Sequence, residues 1–393
     1  MTTIDSISAP APSTASSRDA ELDLYRETVR RFVAEMITPH RERFERQQHV
    51  DREVWTRAGE LGLLLADVPA EYGGGGGTFA HVAVLAEELA HAGDYGFGLS
   101  VHQICAHYLL RQGTEAQKQR YLPAMARGEM IGAIAMTEPG AGSDLQRIRT
   151  RADRDGDEYR ISGSKTFISN GSMAGLVIVV AKTEPEAGGK GISLLLLETR
   201  DARGFTVGRV LDKLGQKSAD TSELFFDDVR VPADNLLGGV EGKGFAQLMT
   251  ELPYERTLCA LSAISSTEAA LALTLDYTRE RRAFGQPLFA LQNTRFKLAD
   301  VKSQATVGRC FVDACVQRVI DGTMDADTAA IAKLWTTETL GRAVDECLQL
   351  FGGYGYMLEY PIARLYADAR VQRIYGGASE IMREIIARSL ERQ

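Results

Sequence analysis

The stretch Gly132–Asp144, GAIAMTEPGAGSD, lies where the sequence changes from a helical to a strand-like pattern. Its first residues are small and apolar, as in a short buried strand. Pro139 and the glycines after it predict a tight turn with accessible N–H groups, and Thr137 and Ser143 add hydroxyl donors. Such a turn can hold an oxygen-rich ligand with phosphates, although glycine-rich turns between strands more often only reverse the chain.

Upstream of this turn, apolar residues recur at helical spacing, as in AELDLYRETVRRFVAEMI. We therefore predict a helical N-terminal domain over residues 19–130. Residues 1–18 are rich in Ser, Ala, Thr and Pro and predict a flexible tail. The run Gly73–Gly77 predicts a flexible turn, because no phosphate-loop lysine follows it. The residues at three- and four-residue spacing are Leu22, Tyr25, Val29, Phe32 and Val33.

Downstream, residues 131–243 contain short apolar or alternating runs separated by turn residues, which predict a compact antiparallel β domain. The runs are GAIAMTE, EYRISGSKTFIS, GLVIVVAKT, GISLLLLET, GFTVGRV and ELFFDDVRV. Over residues 244–393 the helical period returns, and turn clusters divide this part into about four long helices, as in a bundle. The predicted fold class is therefore α+β with several domains, in the order helical, β, helical. A cleft where the three parts meet is a common place for a cofactor.

Composition limits the partners of this 393-residue chain. Its hydrophobic fraction of 44% and charged fraction of 25% are typical of a globular protein. A formal charge of -8 argues against a nucleic-acid partner, because phosphate backbones require a basic surface. The longest apolar runs are far shorter than the roughly 20 residues that cross a bilayer, so we predict no membrane insertion.

The cysteines and histidines indicate neither disulfides nor a metal. The five cysteines are scattered and form no CxxC pair, which predicts reduced core thiols and a cytoplasmic location. The nearest approach to a ligand cluster is HQICAH, with His102, Cys105 and His107. Its spacing matches no common zinc pattern, so we predict packed helix residues and no metal site.

Five motifs together resemble the acyl-CoA dehydrogenase family in their order and spacing, and the resemblance covers about residues 20 to 390. Each motif alone is weak, but five in register are highly specific. The motifs are AMTEPGAGSD (Ala135–Asp144), SGSKTFISNG (Ser162–Gly171), RRAFGQPL (Arg281–Leu288), QLFGGYGY (Gln349–Tyr356) and RIYGGASEIM (Arg373–Met382).

The resemblance implies the family fold, with an N-terminal helical domain, a middle β domain and a C-terminal four-helix bundle. It implies an FAD enzyme of fatty acid β-oxidation, which removes an α-proton and a β-hydride from an acyl-CoA thioester to give a trans-2-enoyl product. Medium to long or branched acyl chains are expected. An electron-transfer flavoprotein is the expected electron acceptor. The expected assembly is a homotetramer, a dimer of dimers, in which a neighbouring subunit completes each flavin site.

The resemblance also implies which residues bind the flavin. Two positions depart from the family pattern, because Ala378 and Glu380 stand where some members have a threonine and a glutamine near the flavin. Ser143 is expected to contact substrate as well. The expected flavin residues of one subunit are Met136, Thr137, Gly142 and Ser143, with Phe167, Ile168 and Ser169 against the isoalloxazine. Those expected from a neighbouring subunit are Arg281, Phe284, Gln292, Gln349, Gly352 and Gly353.

The catalytic base requires a separate argument. Many family members carry it between the tyrosine and the glycine of the last motif, where this sequence has Gly376. In the branch that resembles long-chain and isovaleryl-CoA dehydrogenases, the glutamate lies on a helix of the C-terminal domain, within a segment like ELPYER. The matching residue is Glu255. The resemblance further implies that Arg256 holds the acyl-CoA, and that Gly376, with Gly377 beside it, binds the thioester carbonyl through the backbone.

Helix geometry supports an inward position for Glu255. Its neighbours three, four and seven residues away form a mostly apolar or small stripe, so its side chain points inward. Burial raises the pKa of a carboxylate, which suits a base acting near neutral pH. Glu251, one turn away, remains the competing candidate. The stripe consists of Leu248, Glu251, Leu252, Leu258, Cys259 and Ser262.

Two other functions stay open at this point. The same fold could act on an acyl thioester of a carrier protein, as a dehydrogenase or as an oxidase that uses oxygen. The chain could instead be a catalytically silent FAD-binding module, because Gly376 has replaced the more common glutamate.

Overall fold

Helix α1 (Ser17–Phe32) begins the described part of the chain, which is residues 17–391 of a computed structural model. Most of the predicted flexible tail, residues 1–16, lies outside the described residues, and its last two residues already belong to α1. The predicted apolar face of this helix is buried, because Val29, Phe32 and Val33 are each at most 5% exposed.

Five more helices complete the N-terminal part. Two of them start at a threonine whose side chain accepts a backbone N–H of the first turn, at Thr78 and Thr114, which satisfies donors that a helix start otherwise leaves free. Their apolar faces surround the fully buried Trp55 and Tyr108. These helices are α2 (Arg41–Gln47), α3 (Arg52–Glu60), α4 (Phe79–His91), α5 (Leu99–Gln112) and α6 (Glu115–Ala126).

The glycine run Gly73–Gly77 does not form a flexible turn, and that prediction was wrong. Its N–H groups bond to the loop after α3: Gly75 donates to the Leu65 carbonyl at 3.1 Å and Gly77 to the Ala66 carbonyl at 2.9 Å. A Cβ on Gly74 would lie 2.3 Å from the Val68 carbonyl oxygen. The glycines are therefore explained by close packing between two backbone segments.

Seven strands form the middle part. Six match the predicted runs, whereas β2 was missed because its sequence, RADRD, is almost entirely charged. The sheet order is β1-β4-β2-β3-β7-β6, and β5 pairs with β4. The strands are β1 (Gly132–Ala135), β2 (Arg151–Asp155), β3 (Glu158–Ser169), β4 (Leu176–Lys182), β5 (Ile192–Glu198), β6 (Phe205–Val210) and β7 (Thr221–Pro232).

The sheet is mixed, which corrects the purely antiparallel prediction. Strand β1 runs parallel to β4, and β2 meets β4 in parallel at Arg151 and Lys182. These pairings join strands that are not consecutive in the chain, so no hairpin signal announces them. The remaining pairings are antiparallel, and β4 and β5 are buried over nearly their whole length.

The C-terminal part contains three long helices and two short ones, where about four long helices were expected. The break after the third long helix follows from GGYGY, and Pro361 at a first helical position starts the next helix. The helices are α7 (Gly244–Glu280), α8 (Gln292–Ile320), α9 (Ala326–Phe351), α10 (Pro361–Ala369) and α11 (Ser379–Leu390), and a small hairpin, β8 (Arg282–Ala283) with β9 (Gln286–Pro287), joins α7 to α8.

Helix α7 is the core helix of this part. By length and composition it could cross a membrane, but 67% of its apolar window is buried inside the protein. It packs against α4, α5, α8 and α9. The prediction of no membrane insertion considered only uninterrupted apolar runs. It therefore did not recognise that this predicted helix is long and apolar enough to cross a membrane.

Two sets of hydrogen bonds join the three parts and position the site. In the first, Asn170 at the end of β3 donates to the carbonyl oxygens of Gly98 at 2.8 Å and Gly132 at 3.1 Å. A Cβ on Gly98 would lie 1.8 Å from Asn170 Oδ1, so that position requires glycine. In the second, Arg309 of α8 bonds to Glu268 of α7 at 2.6 and 2.9 Å and to Glu87 of α4 at 2.8 Å.

We expect Arg309→Ala to lower the free energy of unfolding by about 2 kcal/mol, because it leaves Glu87 and Glu268 partly buried without their shared cation. Burial acts to raise the pKa of Glu268, but hydrogen bonds from His91 and Arg309 outweigh it and lower that pKa to about 2. A depressed carboxylate pKa contributes stability above its unfolded value of 4.5. The difference from wild type should therefore be complete above that pH and disappear as the pH falls towards 2. Urea unfolding at several pH values measures it.

The matched control is Arg57→Ala. Arg57 pairs with Glu60 at 2.9 Å on an exposed helix surface, and such pairs contribute less than about 1 kcal/mol. Equal destabilisation by the two variants would contradict the role assigned to Arg309.

Candidate active site

Glu255 lies on the face of α7 that packs against α5. Tyr108 of α5 donates a hydrogen bond to Glu255 Oε1 at 3.0 Å. The helix neighbours Leu248 and Leu258 are buried, as the predicted stripe requires. Burial raises the pKa of Glu255 to about 7, and the hydrogen bond from Tyr108 opposes that rise. The carboxylate therefore has the proton affinity of a base that works near neutral pH.

Glu251, the competing candidate, is held differently. It is 1% exposed, and Gln112 Nε2 donates to its Oε1 at 2.9 Å. Arg111 Nε lies 3.6 Å from the same oxygen. Because α5 side chains already bind Glu251, the geometry favours Glu255 as the proton acceptor.

The turn at Gly376 and Gly377 is joined to α7 by Arg256, the residue that follows Glu255. Arg256 Nε donates to the Gly376 carbonyl at 3.4 Å, and the fully buried Lys333 donates to the Gly377 carbonyl at 2.7 Å. Both glycines have positive φ, 64° and 98°. Within residues 17–391, their N–H groups donate to no protein acceptor. The turn is therefore held by its carbonyls while its N–H groups remain available to a ligand.

The two β-domain segments expected at the flavin lie side by side. Thr166 N–H donates to the Thr137 carbonyl at 2.9 Å. The buried Lys165 donates to the Met136 carbonyl at 3.0 Å and to Glu138 Oε1 at 2.9 Å. This ion pair therefore fixes the turn after β1 against the end of β3.

The residues around this pair face in different directions. Phe167 is 65% exposed, whereas the Ile168 side chain is 2% exposed and packs in the core of the sheet. Any flavin contact of Ile168 therefore uses its backbone. Ser169 is half-buried, and Gly142 and Ser143 are exposed.

Four of the residues expected from a neighbouring subunit converge on one cavity of about 480 Å³. The Arg281 guanidinium lies 5.4 Å from the centre of the Tyr354 ring. A Cβ on either Gly352 or Gly353 would meet no atom within 4 Å. The cavity is lined by Tyr277, Arg281, Leu288, Gln349, Leu350, Phe351, Gly352, Gly353, Tyr354 and Met357.

The other expected flavin residues do not line this cavity. Phe284 is 92% exposed on the small hairpin, and Gln292 is exposed at the first position of α8. Ala378 precedes α11 and Glu380 lies in its first turn, where Glu380 is 3.6 Å from Arg383. Phe284, Gln292 and Glu380 are therefore exposed and Ala378 is half-buried, and none of the four lines this cavity.

The residues present fit FAD. Arg281 is a permanent cation on the cavity wall and suits a pyrophosphate. Phe167 offers an exposed aromatic face to a flat ring system, and a Cβ on Gly140 or Gly142 would meet nothing within 4 Å, so a ligand can approach the backbone of this turn.

A metal ion has no comparable site in the described residues. No group of three or more His, Cys, Asp and Glu side chains over residues 17–391 could hold one. In HQICAH, the His102 ring is 3.1 Å from the Met125 carbonyl oxygen and accepts the Gly132 N–H at 3.0 Å. Burial lowers the pKa of His102 to about 4, so this ring is a neutral core residue.

Comparisons with known proteins agree with this geometry. Family models described as the acyl-CoA dehydrogenase N-terminal, middle and C-terminal domains match residues 19–129, 133–229 and 242–391. The long-chain specific acyl-CoA dehydrogenase of Mus musculus mitochondria is 48% identical over 374 residues, which cover 94% of this chain and 86% of that protein. The mitochondrial isovaleryl-CoA dehydrogenase of Solanum tuberosum is 36% identical and covers 93% and 89%. The crystal structure of an acyl-CoA dehydrogenase from Geobacillus kaustophilus has a TM-score of 0.92 at 43% identity, covering 97% of this chain and 100% of that chain.

The fold and the site define an FAD-dependent oxidoreductase. The predicted three-part fold is confirmed, and so is FAD as the cofactor. The chain belongs to the acyl-CoA dehydrogenase family, and its relatives include proteins named for the long-chain and isovaleryl branches. The assignment of individual site residues stays a prediction.

Several residues of the site were missed by the sequence analysis. Tyr108 gave no signal, because a tyrosine on an apolar helix face is usually a core residue. Lys333 had a detectable signal, since it stands inside the apolar run AAIAKLW. Lys165 and Glu138 lay within quoted motifs, but nothing in one sequence pairs them.

We expect Lys165→Met to destabilise the protein by about 3 kcal/mol, because it leaves the buried Glu138 without its cation. It should also raise the Kd for FAD about tenfold, which corresponds to roughly 1.4 kcal/mol of lost positioning. Urea unfolding and equilibrium titration of the apoprotein with FAD measure the two effects.

Two further variants make this test specific. Adding Glu138→Gln to Lys165→Met removes the unpaired charge and should restore part of the stability. Lys182→Met is the matched control, because Lys182 of β4 donates only to the Pro185 carbonyl, at 3.2 Å. A folded Lys165→Met protein that binds FAD like wild type would refute the positioning role.

Proposed function

We propose that this protein catalyses the α,β-dehydrogenation of an acyl-CoA thioester to a trans-2-enoyl-CoA, with Glu255 as the base. The observation that carries the proposal is a carboxylate with a raised pKa on α7, next to Arg256, which contacts the carbonyl of the Gly376 turn. A proton acceptor and backbone N–H donors on neighbouring segments are what removal of a proton beside a carbonyl requires.

Substrate activation is the task of the glycine turn. The unpaired N–H of Gly376 would donate to the thioester oxygen, where negative charge develops as the α-proton leaves. One such donor contributes roughly 3 kcal/mol to transition-state stabilisation. Lys333 and Arg256 hold the carbonyls of the turn, so its N–H groups are already oriented before substrate binds.

Proton removal is the task of Glu255. Tyr108 holds Oε1, which leaves Oε2 to accept the α-proton while the double bond forms. Bound FAD supplies the acceptor for the β-hydride. Phe167 and the turn after β1 would hold the isoalloxazine, and Arg281 with its cavity would hold the phosphates of a neighbouring subunit's FAD.

The family supports a proposal for the substrate class and the partners. Relatives named for long-chain and isovaleryl substrates support a medium to long or branched acyl group. We further propose an electron-transfer flavoprotein as electron acceptor and a homotetramer as the assembly. An exposed cavity around Arg281, made by residues expected to serve a neighbouring subunit, supports the assembly.

We expect Glu255→Gln to lower the rate of flavin reduction by about a thousandfold, because a general base contributes 10²–10⁴-fold. Glu251→Gln should still reduce its flavin. The measurement is anaerobic mixing of FAD-loaded protein with a panel of acyl-CoA esters, following the absorbance of the oxidised flavin. The ester that reduces wild type fastest identifies the acyl group.

Other outcomes distinguish the alternatives. Full reduction by Glu255→Gln, with loss in Glu251→Gln, would move the base to Glu251. Reduction only by carrier-protein thioesters would favour a carrier-protein dehydrogenase, and faster reoxidation by oxygen than by an electron-transfer flavoprotein would favour an oxidase. If no thioester reduces the flavin of the wild-type protein, the result favours a catalytically silent FAD-binding protein.

The pH dependence follows from the raised pKa of Glu255. A base accepts a proton only when it is ionised, so the rate at low substrate concentration should rise with pH to a plateau. The midpoint should lie at about 7, the pKa of Glu255 in the free protein. A midpoint near 4.5, the ordinary value for a glutamate, would contradict burial of the base.

A further inference from the structure

A second polar cluster lies one helical turn from Glu255 and has no place in the mechanism above. His107 of α5 lies between two buried carboxylates. Its Nε2 is 3.1 Å from Asp67 Oδ2, and its Nδ1 is 3.8 Å from Glu251 Oε2. Its ring stacks on the Tyr254 ring at a centroid distance of 3.8 Å. We call Asp67, His107 and Glu251 the histidine bridge.

The histidine bridge is well fixed at one end. Asp67 accepts hydrogen bonds from Tyr254 at 3.1 Å and from Gln103, so its carboxylate orients the imidazole. At the other end, His107 Nδ1 and Glu251 Oε2 are both buried and have no hydrogen-bond partner among the described residues. The two atoms therefore interact by electrostatic attraction across 3.8 Å and not through a hydrogen bond. A positive charge on His107 stabilises the negative charge of Glu251.

The surroundings of His107 favour its protonated form. Burial acts to lower the pKa of His107, but its contacts with Asp67 and Glu251 outweigh burial and raise that pKa above its ordinary value of 6.5. One imidazolium between two carboxylates leaves one net negative charge on the bridge. Removing the imidazolium would leave two.

Glu251 is the member of the histidine bridge that lies next to Glu255 on α7. The two glutamates are four residues apart on one face of α7, where Cβ atoms lie about 5–6 Å apart. A like charge at that distance disfavours ionisation of the second carboxylate, and Glu251 adds in this direction to the burial of Glu255.

All charged or titratable groups near these residues must be considered in a pH argument. Arg111 also contacts Glu251 and keeps it paired when His107 is removed. The groups are Cys105, Tyr108 and Arg111 from α5, Glu251, Tyr254 and Arg256 from α7, Asp67 from the loop after α3, and Tyr25 from α1.

We propose that His107 is a positioning residue that sets the pH range in which Glu255 accepts the substrate proton, by balancing the charge of Glu251. The proposal rests on the proposed function, because it assumes that Glu255 is the base. None of the three residues of the histidine bridge is assigned above to substrate or cofactor, so the proposed effect is on the proton affinity of Glu255.

Two substitutions should shift the activity profile in opposite directions. His107→Gln removes the positive charge, so the pH midpoint of flavin reduction should rise by about one unit. Glu251→Gln removes the negative charge, so the midpoint should fall by about the same amount. In the Glu251→Gln background, His107→Gln should have a smaller effect than in wild type, because an imidazole that faces one carboxylate instead of two is protonated to a lesser extent.

The experiment uses FAD-loaded full-length protein, mixed anaerobically with the best acyl-CoA ester at pH 5.5 to 9. A second readout is the infrared band of the protonated Glu255 carboxyl group, obtained as the difference between each variant and the same variant carrying Glu255→Gln. Gln103→Met is the matched control, since it removes a neutral hydrogen bond to Asp67 and should leave the midpoint unchanged. Unfolding curves and FAD content exclude a general loss of structure.

The outcomes separate this proposal from the proposed function. If Glu255→Gln reduces its flavin like wild type, the assignment of the base fails. If Glu255→Gln is inactive but His107→Gln and Glu251→Gln leave the midpoint unchanged, or move it in the same direction, only the role of the histidine bridge fails. Opposite shifts in both the rate and the infrared band establish it.

Discussion

Burial of one ionisable carboxylate between α5 and α7 is the constraint on which the proposed chemistry depends. A carboxylate in water is too acidic to take a proton efficiently from the carbon beside a thioester, whereas the half-buried carboxylate of Glu255 binds a proton near pH 7, because desolvation disfavours its charged form. Burial without compensation would destabilise the fold. Tyr108 and Arg256 provide limited compensation, and neither gives Glu255 a tight ion pair that would abolish its basicity.

The same constraint explains why α7 is the core helix of the C-terminal part. It packs against α4 and α5 of the N-terminal part and against α8 and α9 of its own part. Two neighbouring residues of α7 are held by different elements, with Glu255 bonded to Tyr108 of α5 and Arg256 to the turn at Gly376. Polar groups placed on a rigid helix keep their geometry better than groups on a loop, which suits proton transfer.

The sequence allowed the fold and much of the candidate site to be predicted, and the failures have physical causes. Helix periodicity predicted that the Glu255 side chain points inward. Short apolar or alternating runs predicted six of the strands. Strand β2 was missed because its charged residues face solvent, and the parallel pairing of β1 with β4 was missed because it depends on contacts distant in sequence. Tyr108 and the histidine bridge were missed because the residues that meet are far apart in the chain, 147 positions for Tyr108 and Glu255, and one sequence does not reveal which faces meet.

The glycine at position 376 and the glutamate at position 255 can be understood together. Gly376 has a φ of 64°, a conformation that costs an ordinary residue about 1–2 kcal/mol. Space for a side chain exists, because a Cβ there would meet no atom within 4 Å, so the backbone conformation rather than crowding favours glycine. Arg256 joins α7 to this turn one residue after Glu255, so the proposed base and the turn are carried by connected segments. A base carried by the helix leaves the turn free to act through its backbone N–H groups alone.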